Sequence, residues 1–166
     1  GEPCGKALTS HKLVERVAFT GGPETAKHII KNSAENLSQV SLELGGISPV
    51  AVFDDADQEN ALNGITAGIF GASGQSCIAG SRLYLQKNIY EDFLNKLIDK
   101  AKKIKIGAPM EPDTQMGPLN SLKQLEVIEK NIKLTIDQGG KLKCGGKRHT
   151  LSNKGYYFPA TIIECD

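Results

Sequence analysis

The sequence has no tryptophan, only 5% aromatic residues and four cysteines in 166 positions. An aliphatic core is what the shortage of rings leaves. Cys4, Cys77, Cys144 and Cys165 stand far apart. They form neither the CxxC pairs of a zinc site nor the density of a small disulfide-stapled protein, so no metal site is expected and reduced thiols in a cytoplasmic protein are. Charge of one sign is lacking too. Twenty Lys and Arg against nineteen Asp and Glu leave +1, which gives no overall pull toward nucleic acid or an anionic membrane. No run approaches the about 18 apolar residues of a spanning helix, and the opening GEPCGKALTS lacks the basic-then-apolar pattern of a signal peptide. The chain opens without methionine and stops directly after an expected strand, as a piece of a longer chain would.

What is plentiful is glycine, 18 residues, above the usual level of about 7%, and it punctuates short apolar runs. Residues 16–20 are β-branched and aromatic and run into Gly21-Gly22. Pro23 then opens a helical pattern through Ala26, Ile29, Ile30, Ala34 and Leu37. Strands are expected at 39–44 and 49–53. In the second, Val50, Ala51, Val52 and Phe53 suit a strand covered on both faces. Asp54, Asp55 and Asp57 read as a turn and helix cap, before a helix carrying Ala61, Leu62, Ile65, Ala67 and Ile69. Further expectations are a strand at 82–86, helices at 89–104 and 122–138, and short strands at 142–144 and 157–163 around a polar turn at 145–155. This alternation predicts an α/β fold with a mostly parallel sheet. An organisational change near residues 45–48 divides it into segments 1–46 and 47–166.

Several residues could carry chemistry. The strand-FTGG-PETA-helix segment lacks the GxGxxG and GxxxxGK patterns and by itself reads first as a plain structural turn, yet Gly21, Gly22 and the amides opening the helix can receive a pyrophosphate. Cys77 lies among small residues that permit access to a nucleophile and also suit a buried structural thiol. Glu43, at a strand end before Leu44-Gly45-Gly46, could act as a base or serve as a surface acid. The basic cluster over 96–105 reads as a solvated helix face. His11 reads as a helix-face or structural residue, His28 and His149 lack metal-forming partners, and Cys144 reads as a strand-end thiol.

Two longer stretches narrow these readings. VSLELGGISP at 40–49 resembles the glutamate signature of the NAD(P)-dependent aldehyde dehydrogenases, and FGASGQSCIAGSR at 70–82 resembles their cysteine signature. They stand in the family's order and spacing. FTGG, FDDAD, the GxP at 107–109, the MGP at 116–118 and YYFPATI at 156–162 extend the resemblance over essentially the whole chain.

The resemblance implies that Cys77 is the nucleophile, attacking an aldehyde to give a thiohemiacetal and then a thioester. Glu43 becomes the base that activates water for hydrolysis, which favours release of a carboxylic acid over transfer to coenzyme A. Gly21, Gly22 and Leu44 become cofactor contacts, for NAD or NADP with NAD favoured, and no metal takes part. The implied partners are a small-molecule aldehyde and, in the full-length protein, further copies of the chain. Residues 1–46 become the C-terminal part of a dinucleotide-binding domain and 47–166 the N-terminal part of the catalytic domain. The oxyanion asparagine is expected upstream of residue 1 and the ribose-contact glutamate downstream of 166, so the isolated segment is expected to be inactive. Gly22 replaces a common serine and Ala26 a frequent glycine, changes that bear on the choice between NAD and NADP, while Ile47 replaces a common lysine and Ala72 a frequent asparagine, changes that bear on subgroup rather than on chemistry. The alternative is a catalytically silent structural or interaction protein on the same scaffold.

Overall fold

The computed structural model describes residues 2–149 and 155–165. The chain divides into two compact units, Gly1–Gly46 and Ile47–Asp166.

In the first unit, α1 (Cys4–Thr9) precedes β1 (Arg16–Gly21), α2 (Pro23–Ser33) and β2 (Gln39–Leu44). The two strands pair in parallel from Arg16↔Gln39 to Gly21↔Leu44, as a strand-helix-strand crossover demands. Helix α1 was not expected, since six residues after a Gly/Pro turn show no periodicity. Tertiary hydrogen bonds hold it: Asn32 Nδ2 donates to Thr9 Oγ1 at 3.0 Å, and Ser33 Oγ donates to Thr9 O at 3.4 Å. Pro23 opens α2 where no intrahelical amide bond is lost, and the helix buries Ala26, Ile29 and Ser33. It ends before the expected Ala34 and Leu37. The chain must reverse into β2, Leu37 takes φ 56°, and its side chain is exposed. His11 lies in a turn rather than on a helix face, its Nδ1 accepting from the Leu13 amide at 3.2 Å.

In the second unit, β3 (Pro49–Val52) is joined to β4 (Arg82–Leu85) through α3 (Gln58–Phe70), and the two strands are again parallel. Asp57 caps α3 as expected, accepting from the Asn60 amide at 3.1 Å. A 3-10 turn, Lys87–Ile89, leads into α4 (Tyr90–Lys102). Val52, Ile65, Ile89, Phe93 and Leu97 form one core between this sheet and its helices. The expectation that residues 49–53 are covered on both faces fails in this chain. Exposure alternates along β3, and Phe53 and Tyr84 stay largely open, because α3 and α4 cover one face of the pair.

Helix α5 (Leu122–Asp137) starts at the Ser121 cap, whose hydroxyl accepts from the Gln124 amide at 3.2 Å. It buries Leu125 with Leu119 and Phe158, whereas Ile136, expected on the buried stripe, is 40% exposed. β5 (Lys141–Cys144) pairs antiparallel with β6 (Ile162–Glu164), with a register shift between Leu142 and Cys144. The strand expected at 157–163 forms only at its end. Tyr157, Phe158 and Ala160 are buried outside any strand, and Pro159 has no amide to give a ladder. Of the turn expected at 145–155, residues 150–154 lie outside the described residues. Two parallel pairs and one antiparallel pair with flanking helices make the fold α/β.

Candidate active site

In the first unit the in-register parallel pairing sets Thr20 beside Glu43 and Gly21 beside Leu44. Both strands therefore deliver their C-terminal ends, with Gly21, Gly22, Glu43 and Leu44, to one edge of the sheet. That is where open α/β sheets take ligands. Glu43 is exposed, while Leu44 is half-buried. A Cβ on Gly21 would stand 2.5 Å from the Phe19 ring, so a side chain here displaces the aromatic packed beneath the turn. Gly22 differs. A Cβ there would meet nothing within 4 Å, and its φ of −82° and ψ of 152° suit any residue.

Gly22 is also the N-cap of α2, and no side chain caps that end. Pro23 has no amide, and the first helical bond runs from Ala26 N to Gly22 O. The Glu24 and Thr25 amides precede that bond and so have no carbonyl partner within the helix. Uncapped helix amides approached through a glycine have the donor chemistry a dinucleotide phosphate needs, so the residues present fit such a group.

Cys77 belongs to the second unit. Helix α3 ends at Phe70, and a short 3-10 turn, Gly71–Gly74, contains consecutive left-handed residues: Ala72 at φ 50°, Ser73 at φ 55° and Gly74 at φ 71°. The backbone thereby swings off the helix axis and presents Cys77 in a turn closed by Ala79 N donating to Ser76 O at 3.2 Å. The thiol is exposed, which removes the reading of Cys77 as a buried structural residue. Ile78 beside it is 81% exposed, and Ala79 is buried. Sequence reasoning missed how this turn is tied down. Ser73 Oγ donates to Gly117 O at 2.9 Å, and Gln75 Oε1 accepts from the Asn120 amide at 3.1 Å. Only the MGP element at 116–118 hinted that this distant segment matters.

Burial pushes the Cys144 thiol up despite nearby Lys102, and its Sγ lies 3.7 Å from Ala160 O. A thiol held neutral in this way is a poor nucleophile. Glu129 is lowered by its two hydrogen bonds from Arg148, at 2.6 and 2.8 Å. Glu164 is lowered by the Tyr90 hydroxyl and then by Lys143. Among the described residues no three His, Cys, Asp or Glu side chains are grouped to hold a metal ion, and no helix is long and apolar enough to cross a membrane. The structure therefore gathers Gly21, Gly22, Glu43 and Leu44 in one unit and sets Cys77 in the other.

The aldehyde dehydrogenase family model matches residues 1–165. The chain is 50% identical over 165 residues to (Z)-2-((N-methylformamido)methylene)-5-hydroxybutyrolactone dehydrogenase of Acinetobacter baylyi, covering 99% of this chain and 33% of that protein. It is 41% identical over 161 residues to betaine aldehyde dehydrogenase of Brucella anthropi, covering 96% and 33%. Among solved structures, PnpE in complex with nicotinamide adenine dinucleotide superposes with a TM-score of 0.93 at 43% identity, over 97% of this chain and 34% of that one. Betaine aldehyde dehydrogenase from Staphylococcus aureus in complex with NAD+ superposes with a TM-score of 0.91 at 42% identity, over 98% and 33%. The chain spans about a third of the length of the curated relatives it matches.

Proposed function

The chain belongs to the aldehyde dehydrogenase family, and on that premise we propose that its residues serve the oxidation of an aldehyde to a carboxylic acid with NAD or NADP, NAD being favoured. The observation that carries this reading is the exposed Cys77 thiol, presented beyond a run of three left-handed residues. Once its proton has passed to solvent, the Cys77 thiolate attacks the carbonyl carbon, and the carbonyl oxygen takes the negative charge of a thiohemiacetal, with the Cys77 amide as one donor to it. A nicotinamide held by this chain would supply the hydride acceptor that oxidation to the thioester requires. Glu43 takes a proton from water, the water oxygen bonds to the acyl carbon, and the Cys77 sulfur leaves as the carboxylic acid forms.

Gly21, Gly22 and the opening amides of α2 would hold the dinucleotide phosphates, and Leu44 would supply a backbone contact to the cofactor. On this reading residues 1–46 are the end of a dinucleotide-binding domain and 47–166 the start of the cysteine-bearing domain. No metal takes part. The protein acts on a small aldehyde in the cytoplasm and assembles with copies of itself, without nucleic acid or membrane. The favoured cofactor rests on likeness to proteins solved with NAD. The test is a full-length chain carrying this segment, assayed with a panel of short aldehydes by the absorbance of reduced nicotinamide. Folded, dinucleotide-binding protein that reduces no cofactor with any aldehyde would contradict the proposal.

A further inference from the structure

Residues 71–80 are small apart from Gln75 and Ile78 and lie largely on the surface, and two of the three left-handed residues in this turn, Ala72 and Ser73, carry a Cβ. Such a conformation relaxes unless its surroundings hold it. Two side chains reach out of the turn to hold it. Ser73 Oγ donates to Gly117 O at 2.9 Å across 44 residues of chain, and Gln75 Oε1 accepts from Asn120 N at 3.1 Å across 45. Gln75 also closes the turn on itself, its backbone N and Nε2 donating to Ala72 O at 3.1 and 3.2 Å.

The segment these bonds reach is itself fixed. Met116 is 5% exposed and packs with Ala101, Cys144 and Ala160; Leu119 is 6% exposed and packs with Leu125 and Phe158. Leu119 N donates to Tyr156 O at 2.9 Å, and Gly107 N donates to Met116 O at 3.2 Å. The 116–120 segment is thus a rail set into two hydrophobic clusters, and the Cys77 turn is fastened to it at two points.

We propose that Ser73 and Gln75 are positioning residues, which lock the Cys77 turn onto the 116–120 segment and so fix where the sulfur meets the aldehyde. This rests on the reading of Cys77 as the nucleophile. Gln75 is two residues from Cys77, so its anchor limits the sulfur directly. A misplacement of about 1 Å at a reacting atom can cost on the order of a hundredfold in rate. Attack on a bound carbonyl needs that placement, whereas alkylation by a freely diffusing reagent needs only access.

The test uses Ser73→Gly, Ser73→Asn, Gln75→Leu and Cys77→Ala in a full-length chain carrying this segment. Three quantities are read: the rate of the first burst of cofactor reduction with saturating propanal, the KM for propanal, and the rate at which iodoacetamide alkylates Cys77. Ser73→Gly removes the hydroxyl and also relieves the left-handed strain, so it is expected to melt at or above the wild-type temperature while its burst slows about tenfold or more. Gln75→Leu is expected to slow the burst similarly. KM and the alkylation rate should stay within about twofold in both. Ser73→Asn tolerates the left-handed backbone and offers an amide donor to Gly117, so it should recover most of the rate. A burst unchanged in Ser73→Gly and Gln75→Leu would overturn the proposal while leaving Cys77 as nucleophile. Alkylation slowed as much as the burst would also overturn it, because the pair would then act on thiol reactivity rather than placement. A burst retained by Cys77→Ala would overturn the reading beneath it, and the proposal with it.

Discussion

Ala72 holds φ 50° and ψ 31°, a backbone that costs an L-residue about 1–2 kcal/mol and that glycine or asparagine accepts more readily. Glycine offsets part of its gain by widening the unfolded ensemble, about 0.5–1 kcal/mol. Ala72→Gly is therefore expected to stabilise the chain by roughly 0.5–1 kcal/mol, read as a higher urea midpoint with an unchanged slope; a lower midpoint would show that the alanine methyl is worth more than the strain. The sequence already marks Ala72 as standing where the family commonly has asparagine, and the left-handed backbone gives the physical reason for asparagine there. Cys77, Glu43, Gly21, Gly22 and Leu44 were nameable because their neighbours form signatures in one-dimensional order. Ser73 and Gln75 were not, since what singles them out is a torsion angle and partners 44 and 45 residues away. No local pattern encodes either.

Helix α4 joins the sheet of the second unit to its core through Phe93, which is 1% exposed and packs among Val52, Ile65, Ile89 and Leu97. Phe93→Ala is expected to cost about 3–5 kcal/mol, measured by denaturant unfolding. A loss below about 1 kcal/mol would mean that the cluster closes over the gap. The start of α4 is tied to the β5–β6 pair by Tyr90, whose hydroxyl donates to Glu164, and Lys143 lies 3.0 Å from the same carboxylate. Tyr90 first and Lys143 second lower the Glu164 pKa. Because the folded value lies below the unfolded one, this contribution is complete above the unfolded carboxylate value of about 4.3 and is lost as pH falls through the folded value. Glu164→Gln should therefore reduce the gap in stability between neutral and acid pH, and parallel pH curves for variant and wild type would contradict the assignment. Elements with their own periodicity or caps were legible: β2 forms over the expected residues, α2 and α3 start at Pro23 and after the aspartate cap as expected, and α5 starts at the expected residue 122. Those decided by tertiary partners were not. Helix α1 depends on Asn32 and Ser33 reaching Thr9, and residues 157–161 satisfy their apolar side chains by burial without making a ladder.

At the scale of the whole chain, two units of unequal means divide the chemistry. Gly1–Gly46 has one parallel strand pair and buries Ala26 and Ile29 as its main apolar anchors, while Ile47–Asp166 holds three hydrophobic clusters. Units near 40 residues sit at the lower limit of independent stability. In this chain the amides of Val17, Phe19 and Leu42 are therefore expected to exchange with deuterium ahead of those of Leu94 and Leu97, and equal protection would contradict independent unit stabilities. The change of organisation expected near residues 45–48 coincides with the glycines after Glu43, so the proposed base and the proposed nucleophile lie on opposite sides of it. Their roles are separable in time. In a full-length chain carrying this segment, rapid mixing of propanal with excess NAD should give a burst of reduced cofactor in Glu43→Gln followed by a slowed steady state, because the amide keeps the shape of the side chain and loses the base. Cys77→Ala should give neither phase. A burst in Cys77→Ala, or equal loss of both phases in Glu43→Gln, would contradict the assignment of thioester formation to one residue and its hydrolysis to the other.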